Sequence, residues 1–399
     1  MGSEHLMGMN TANRYSTNRR QFLASAAAFP LALRAVASPM AGSSRWILLG
    51  TGTSKGIFRA AWNAERGELS GIEVAAATQS PSFLAMHPRL PILYAVNEAP
   101  SGDGALCSFR LDAARGTLAP VERVSSEGNG PCYVSVDATG RNAFVANYGG
   151  GSLAAFGLEY GGGLRSAGLF DCHNNAACGV VGPNKARQEA AHMHCAVVSP
   201  DNRFVLGCNL GDDAIEIFRI HPGAATPMEA PVRFAARAGS GPRHLAFHPN
   251  GLWLYCIHEL DCTIDLYDWN VNNGAASPVL RKDSVISTLA SPAALPGSTG
   301  CEIAVSPDGR FVYGNTRGEN SLVVYRVDAS TGLLTEQQRV SSGGSATRHF
   351  AFDPSRRWLL CANQGSSTVT VFAHDPATGR LAETPKSFSI DTPMFVQFL

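Results

Sequence analysis

Charge is scarce in this sequence: only 16% of residues are Asp, Glu, Lys or Arg, and 32 basic side chains balance 32 acidic ones. A nucleic-acid partner, or an anionic membrane surface, is gripped by a clustered basic face, and a neutral, weakly charged chain does not supply one. Long apolar runs are missing too. After residue 45 no stretch approaches the roughly 18 residues that a membrane-spanning helix requires. The 10 cysteines show no zinc-type spacing with enough partners. These absences leave a small molecule or another protein as the ligand. What the chain has in quantity is punctuation: 41 Gly and 23 Pro set among 45% hydrophobic residues, the composition of many short strands joined by turns.

The turns repeat. His87-Pro88-Arg89, Asp137-Ala138-Thr139-Gly140-Arg141, Ser199-Pro200-Asp201-Asn202-Arg203, His248-Pro249-Asn250, Ser306-Pro307-Asp308-Gly309-Arg310 and Asp353-Pro354-Ser355-Arg356-Arg357 are variants of one phrase between apolar runs, roughly 47 to 62 residues apart. In the fifth unit Leu245 and Phe247, then Trp253, Tyr255 and Ile257, alternate with other residues as half-buried strands do, around a tight turn at 248–251. Units begin at Arg45, Pro81, Gly130, His192, Gly241, Gly300 and Thr347. The first lacks the turn phrase but keeps two strands and a Gly-rich corner. Seven four-stranded units predict an all-β fold, a seven-bladed β-propeller. The tail Pro393–Leu399 has no blade of its own, so it is expected to complete the first, closing the ring by pairing N- and C-terminal strands.

Residues 1–37 read as a removable export signal. Thr17-Asn18-Arg19-Arg20-Gln21-Phe22-Leu23 is a twin-arginine phrase, an Ala/Leu-rich segment follows, and Ala35-Val36-Ala37 is a small-x-small cleavage site. The expected mature domain is 38–399, handed to the twin-arginine export machinery, periplasmic or secreted, with no membrane span after cleavage. In such a compartment cysteines often pair. Here Cys107, Cys195, Cys208, Cys256, Cys301 and Cys361 lie inside strand phrases as small buried hydrophobes, leaving Cys172 with Cys178, and Cys256 with Cys262, as the pairs that could form.

The phrases at Gly130–Arg141 with Val145–Leu153, His192–Val205, Gly241–Gly251 with His258–Leu260, Glu302–Tyr313 with Thr316–Gly318, and Thr347–Pro354 with Ala362–Gln364 resemble the seven-bladed propeller lactonases, which include a bacterial 6-phosphogluconolactonase type and fungal carboxymuconate lactonizing enzymes. The similarity spans nearly all of residues 45–399. It implies a small lactone as substrate, no metal and no cofactor.

Lactone opening needs a group that takes a proton from water, a cation or donor for the charge developing on the carbonyl oxygen, and a proton for the leaving oxygen. Strand ends at one mouth of a propeller can bring Glu, Arg and His together from distant blades. Four residues are the expected catalytic set. Glu259 is the acid or base, Arg243 and Arg317 clamp anionic oxygens, a role the resemblance favours, and His194 matches the family's motif histidine and assists proton transfer. His192, Arg348 and His258 are expected to bind substrate. The family commonly has Asn where this chain has His258, which would alter the polar partner of Glu259. His244 and His349 are expected to face away from the neighbouring arginines as packing residues. Asn147, Asn315 and Asn363 fit corner hydrogen bonding. Residues 161–190, an insertion between blades three and four, read as a surface loop or a lid. Export disfavours a phosphorylated sugar lactone, leaving a free one or another small lactone. Alternatives are a muconate cycloisomerase on the same residues, a propeller that binds without catalysis, and a metal-dependent lactonase, for which the carboxylates are too few.

Overall fold

The computed structural model describes residues 46–98, 103–175, 178–272, 275–281, 283–382 and 385–399. The twin-arginine phrase and the cleavage site lie outside the described residues.

Seven antiparallel sheets form a seven-bladed propeller. Blade 2 shows the plan, with strands Leu84–Met86, Ile92–Asn97, Asp103–Asp112 and Thr117–Asn129 in chain order from the channel outward. Blade 1 departs from it. Its order is Glu68–Ala76, Ile57–Asn63, Trp46–Thr51 and then Pro393–Phe398, the last in antiparallel register with Ile47 opposite Phe398 and Leu49 opposite Val396. The ring is closed by a strand from each end of the sequence.

Both faces of a blade are covered by its neighbours, so the second strand of each is a continuous apolar run with divided allegiance. In Ile92–Val96 every side chain is buried; Ile92, Tyr94 and Val96 pack toward blade 3, Leu93 and Ala95 toward blade 1. The core accordingly falls into seven clusters, one at each interface between blades.

The repeated phrase is a capped turn. Its first residue accepts backbone hydrogen bonds across the hairpin: Asp137 from Arg141 and Asn142, Ser306 from Phe311, Asp353 from Trp358. In blades 2 and 5 that residue is a histidine, which also reaches the turn glycine of the next blade, His87 to the Gly140 carbonyl and His248 to that of Gly309.

At the opposite end of the inner strands lies a second repeated feature. The register shifts between Pro131 and Tyr133 in blade 3, Pro242 and His244 in blade 5, Gly300 and Ile303 in blade 6, and Thr347 and His349 in blade 7. Each bulge inserts unpaired residues and re-aims their side chains. The residues it re-aims are Cys132, Arg243, Cys301 with Glu302, and Arg348.

Candidate active site

The bulges and the ends of the second strands meet at one mouth of the channel. There Glu98, Cys132, Tyr148, Arg187, His194, Glu259, Arg317 and Arg348 line a cavity of about 310 Å³. In blade 5 the pairing of Pro242 with His258 sets Arg243 beside the residue that follows the second strand, Glu259. In blade 6 the pairing of Thr299 with Arg317 does the same for Arg317, whose Nε donates to Thr299 Oγ1.

Glu259 is the hub. Its Oε1 accepts from Arg187 Nη2 at 2.5 Å and lies 3.1 Å from Arg317 Nη2. Its Oε2 accepts from Arg243 Nε at 2.9 Å and faces His194 Nε2 at 3.7 Å. Burial favours the neutral acid, but Arg317, Arg243 and Arg187 overcome it and hold the carboxyl at about 2. His194 is driven the other way: burial first, then Arg243 and the cations around it, lower it well below the ordinary imidazole range. The pair at neutral pH is a carboxylate beside a neutral imidazole.

Arg243 lies behind the wall of the cavity, 1% exposed, with Nε on Glu259 and Nη1 on the Cys301 carbonyl (2.6 Å) and His244 Nε2 (3.3 Å). The sequence placed it as a clamp on substrate oxygens, whereas the structure commits these donors to protein groups and makes it the support of Glu259. One step further into the channel, His244 Nδ1 is 3.0 Å from Glu302 Oε1, and His349 Nε2 is 3.9 Å from Glu302 Oε2. The expectation that His244 faces away from Arg243 is corrected, whereas His349 packs on Phe83 and Phe395 and Arg348 turns to Glu98. The bulge breaks the alternation of the strand, so Arg243 and His244 lie on the same side. Phe83 plugs the channel beside them, in ring contact with Tyr133, His244, His349 and Phe395 from four other blades.

The three residues expected to bind substrate take different positions. Arg348 lines the cavity, with Nη2 bound to both oxygens of Glu98 at 3.0 and 2.8 Å. His192 does not line it. Its ring stacks on Tyr148 at 4.4 Å, Nδ1 meets the Tyr148 carbonyl and Nε2 meets Glu189. His258 is turned away entirely. It fills the corner slot that Asn147 and Asn363 fill in blades 3 and 7, and its Nε2 pairs with Asp265 at 3.1 Å, both fully buried. Burial opposes its charge, yet Cys256 and Asp265 hold it at about 10. His258 therefore faces Asp265 inside blade 5 and not the cavity or Glu259.

Glu98, Tyr148 and Arg187 escaped the sequence reading. The first two follow Asn97 and Asn147 as Glu259 follows His258, so the blade register points to them once that slot is recognised. Arg187 had no such signal, because it belongs to the insertion. The expected insertion 161–190 is shorter, since Leu164–Asp171 is the outer strand of blade 3; in the rest Cys172 and Cys178 close a loop as a disulfide, and the segment is tied to the ring where Gly182 N donates to the Gly211 carbonyl and fully buried Gln188 donates to that of Leu210. Of the two cysteine pairs left open, this one forms; Cys256 and Cys262 are buried free thiols.

A propeller with an ion-paired carboxylate and a neutral histidine at its channel mouth has the architecture of a hydrolytic enzyme. The chain belongs to the family described as "Lactonase, 7-bladed beta-propeller", whose model matches residues 46–398, and it is a lactonase. The chain is 31% identical over 348 residues to a 6-phosphogluconolactonase of Bacillus subtilis, covering 87% of this chain and 95% of that protein. It is 29% identical over 317 residues to one of Formosa agariphila, covering 75% and 83%. A solved periplasmic gluconolactonase of Pseudomonas aeruginosa superposes with a TM-score of 0.79 at 30% identity, covering 89% of this chain and 98% of that one.

Proposed function

We propose that the chain hydrolyses a small sugar lactone without a metal ion. The observation that carries this reading is the carboxylate of Glu259 held ionised beside neutral His194, with Arg317 on the same wall. Water attacks the lactone carbonyl carbon and gives its proton to His194. Glu259 stabilises the imidazolium, and Arg317 holds the charge developing on the carbonyl oxygen. Collapse breaks the acyl–oxygen bond of the ring, and His194 returns the proton to the departing ring oxygen, leaving a hydroxy acid. His194 and Arg317 touch the reacting atoms; Glu259 acts through His194, and Arg243 positions Glu259.

We further propose that the protein is exported by the twin-arginine route through residues 17–37, its substrate met outside the cytoplasm. The Pseudomonas structure, described as periplasmic, supports that reading. Among the described residues no helix is long and apolar enough to cross a membrane.

The test is hydrolysis at controlled pH of glucono-lactone, its 6-phosphate and muconolactone, with and without chelator, beside Glu259→Gln. Sugar-lactone turnover that survives the chelator and falls about 10²- to 10⁴-fold in the variant is the expected result. Undiminished turnover in Glu259→Gln overturns the assigned role, and loss to the chelator overturns metal independence.

A further inference from the structure

Glu259 accepts one hydrogen bond on each oxygen, from Arg187 on Oε1 and from Arg243 on Oε2, with Arg317 at 3.1 Å and His194 at 3.7 Å beside them. The Arg187 guanidinium on Oε1 draws on the same negative charge that must stabilise the His194 imidazolium, so the pair is strengthened when Arg187 leaves. Arg243 is buried and held by Cys301 and His244. Arg317 is anchored by Thr299. Arg187 is the loosest: its side chain is 38% exposed, against 22% for Arg317 and 1% for Arg243, and its other bond is to the Tyr148 hydroxyl at the mouth.

The backbone beneath Arg187 is nevertheless fixed. Arg187 N and Gln188 N both donate to the Asn184 carbonyl, the Gln188 side chain holds Asn184 N and the Leu210 carbonyl, and Glu189 grips His192. A rigid base under a long, half-exposed guanidinium leaves the head free to exchange one anion for another without moving the loop. The cavity invites that exchange. Arg187, Arg317 and Arg348 line it against Glu98 and Glu259 alone, so a second anion finds net positive charge there.

We propose that Arg187 is a gate that determines specificity: the carboxylate or phosphate of an acidic lactone draws its guanidinium off Glu259 Oε1, so that binding of an anionic substrate itself frees the carboxylate. Lactones without a charged substituent lack this lever and are turned over less efficiently. The gate belongs to the insertion rather than to any blade, so it is a property of this chain's loop. It rests on the lactonase reading above.

The experiment compares full-length wild type with Arg187→Gln and Arg187→Lys on three substrates, neutral glucono-lactone, its 6-phosphate, and a glucaro-lactone carrying a carboxylate. In Arg187→Gln the preference for acidic over neutral lactone, as a ratio of kcat/KM, falls at least about tenfold, chiefly through KM of the acidic substrate. Its acid limb also moves to higher pH, since Glu259 has lost one of three cations. Arg187→Lys restores part of the preference. The larger fall among the two acidic lactones says whether the gate takes phosphate or carboxylate. An unchanged ratio with an unchanged acid limb overturns the gate. Should wild type open none of these lactones, the lactonase reading fails separately, and calorimetric binding of glucose 6-phosphate against glucose then decides: selectivity equal in wild type and Arg187→Gln overturns the gate, and selectivity lost in the variant sustains it.

Discussion

Arg243 donates from Nη1 to Nε2 of His244, 3.3 Å away, and that bond fixes a tautomer. A guanidinium has no lone pair to offer, so Nε2 must accept and Nδ1 must carry the ring proton. Nδ1 then donates to Glu302 Oε1. Glu302, His244, Arg243 and Glu259 form one directed chain from the channel interior to the mouth.

Replacing His244 with Phe keeps a ring and removes both ends of the relay. The expected outcome is a fall in kcat of about tenfold or more with a smaller change in KM, because an orienting group has been lost rather than a contact with substrate. His244→Gln, whose amide oxygen can accept from Arg243, recovers part of the rate. If both variants melt like wild type and work like it, the relay has no part in catalysis.

Acid sensitivity is expected in two windows. His349 is held at about 4, chiefly by burial, so the unfolded chain binds a proton that the folded one refuses, and stability falls as pH drops from about 6.5 to 4. Glu259 and Glu302 are each held at about 2 against the cost of burial, by the arginines and by His244 respectively. Their contribution is complete above about 4.5 and is lost as pH falls toward 2. Denaturant midpoints between pH 8 and 3 follow both; His349→Phe should shrink the upper window without abolishing it, because burial also lowers His194 and His244, and a profile flat from pH 7 to 5 in wild type contradicts the assignment.

The Cys172–Cys178 bridge closes a short loop, and its loss costs about 2 kcal/mol in the chain-entropy account. Because it fastens the insertion and not a blade, the effect should be local. Cys172→Ser is expected to speed proteolysis within residues 179–191 and to raise KM for acidic lactones, with only a small change in the global melt. Cleavage at the wild-type rate contradicts this.

Removing Met394–Leu399 strips the innermost strand of blade 1, including buried Met394, Phe395 and Val396. At about 1.5 to 3 kcal/mol for each buried side chain, and with an edge opened in the ring, the melting temperature should fall by at least about 10 °C. An unchanged melt would show that closure contributes nothing.

The ring was legible because each blade repeats the same physical problem, two faces to bury and a hairpin to turn. Thus the capped phrases gave the register, and Pro393–Leu399 could be assigned to blade 1 by elimination. The site was legible where it rides on that register, as Glu259, Arg317 and Arg348 do. It failed at His244 because a bulge abolishes the alternation on which facing is judged. It failed at His258 because a polar residue next to Glu259 in sequence lies on the other side of the strand, where Asp265 is waiting. Arg187 was out of reach, since an insertion obeys no repeat and its path depends on contacts with Gly211 and Leu210 from another blade.

The pairing of Ile47 with Phe398 also sets a schedule for synthesis. The strand Trp46–Thr51 is made early, and the partner that completes its blade is made only after residues 52–392. At about 5 to 20 residues per second, that is roughly twenty seconds to a minute in which an apolar strand stands with one edge open. An unpaired edge is a template for any strand that passes. The nascent chain therefore carries an open strand edge through most of its own translation, and the topology that finally seals the ring makes its first blade the last to be finished.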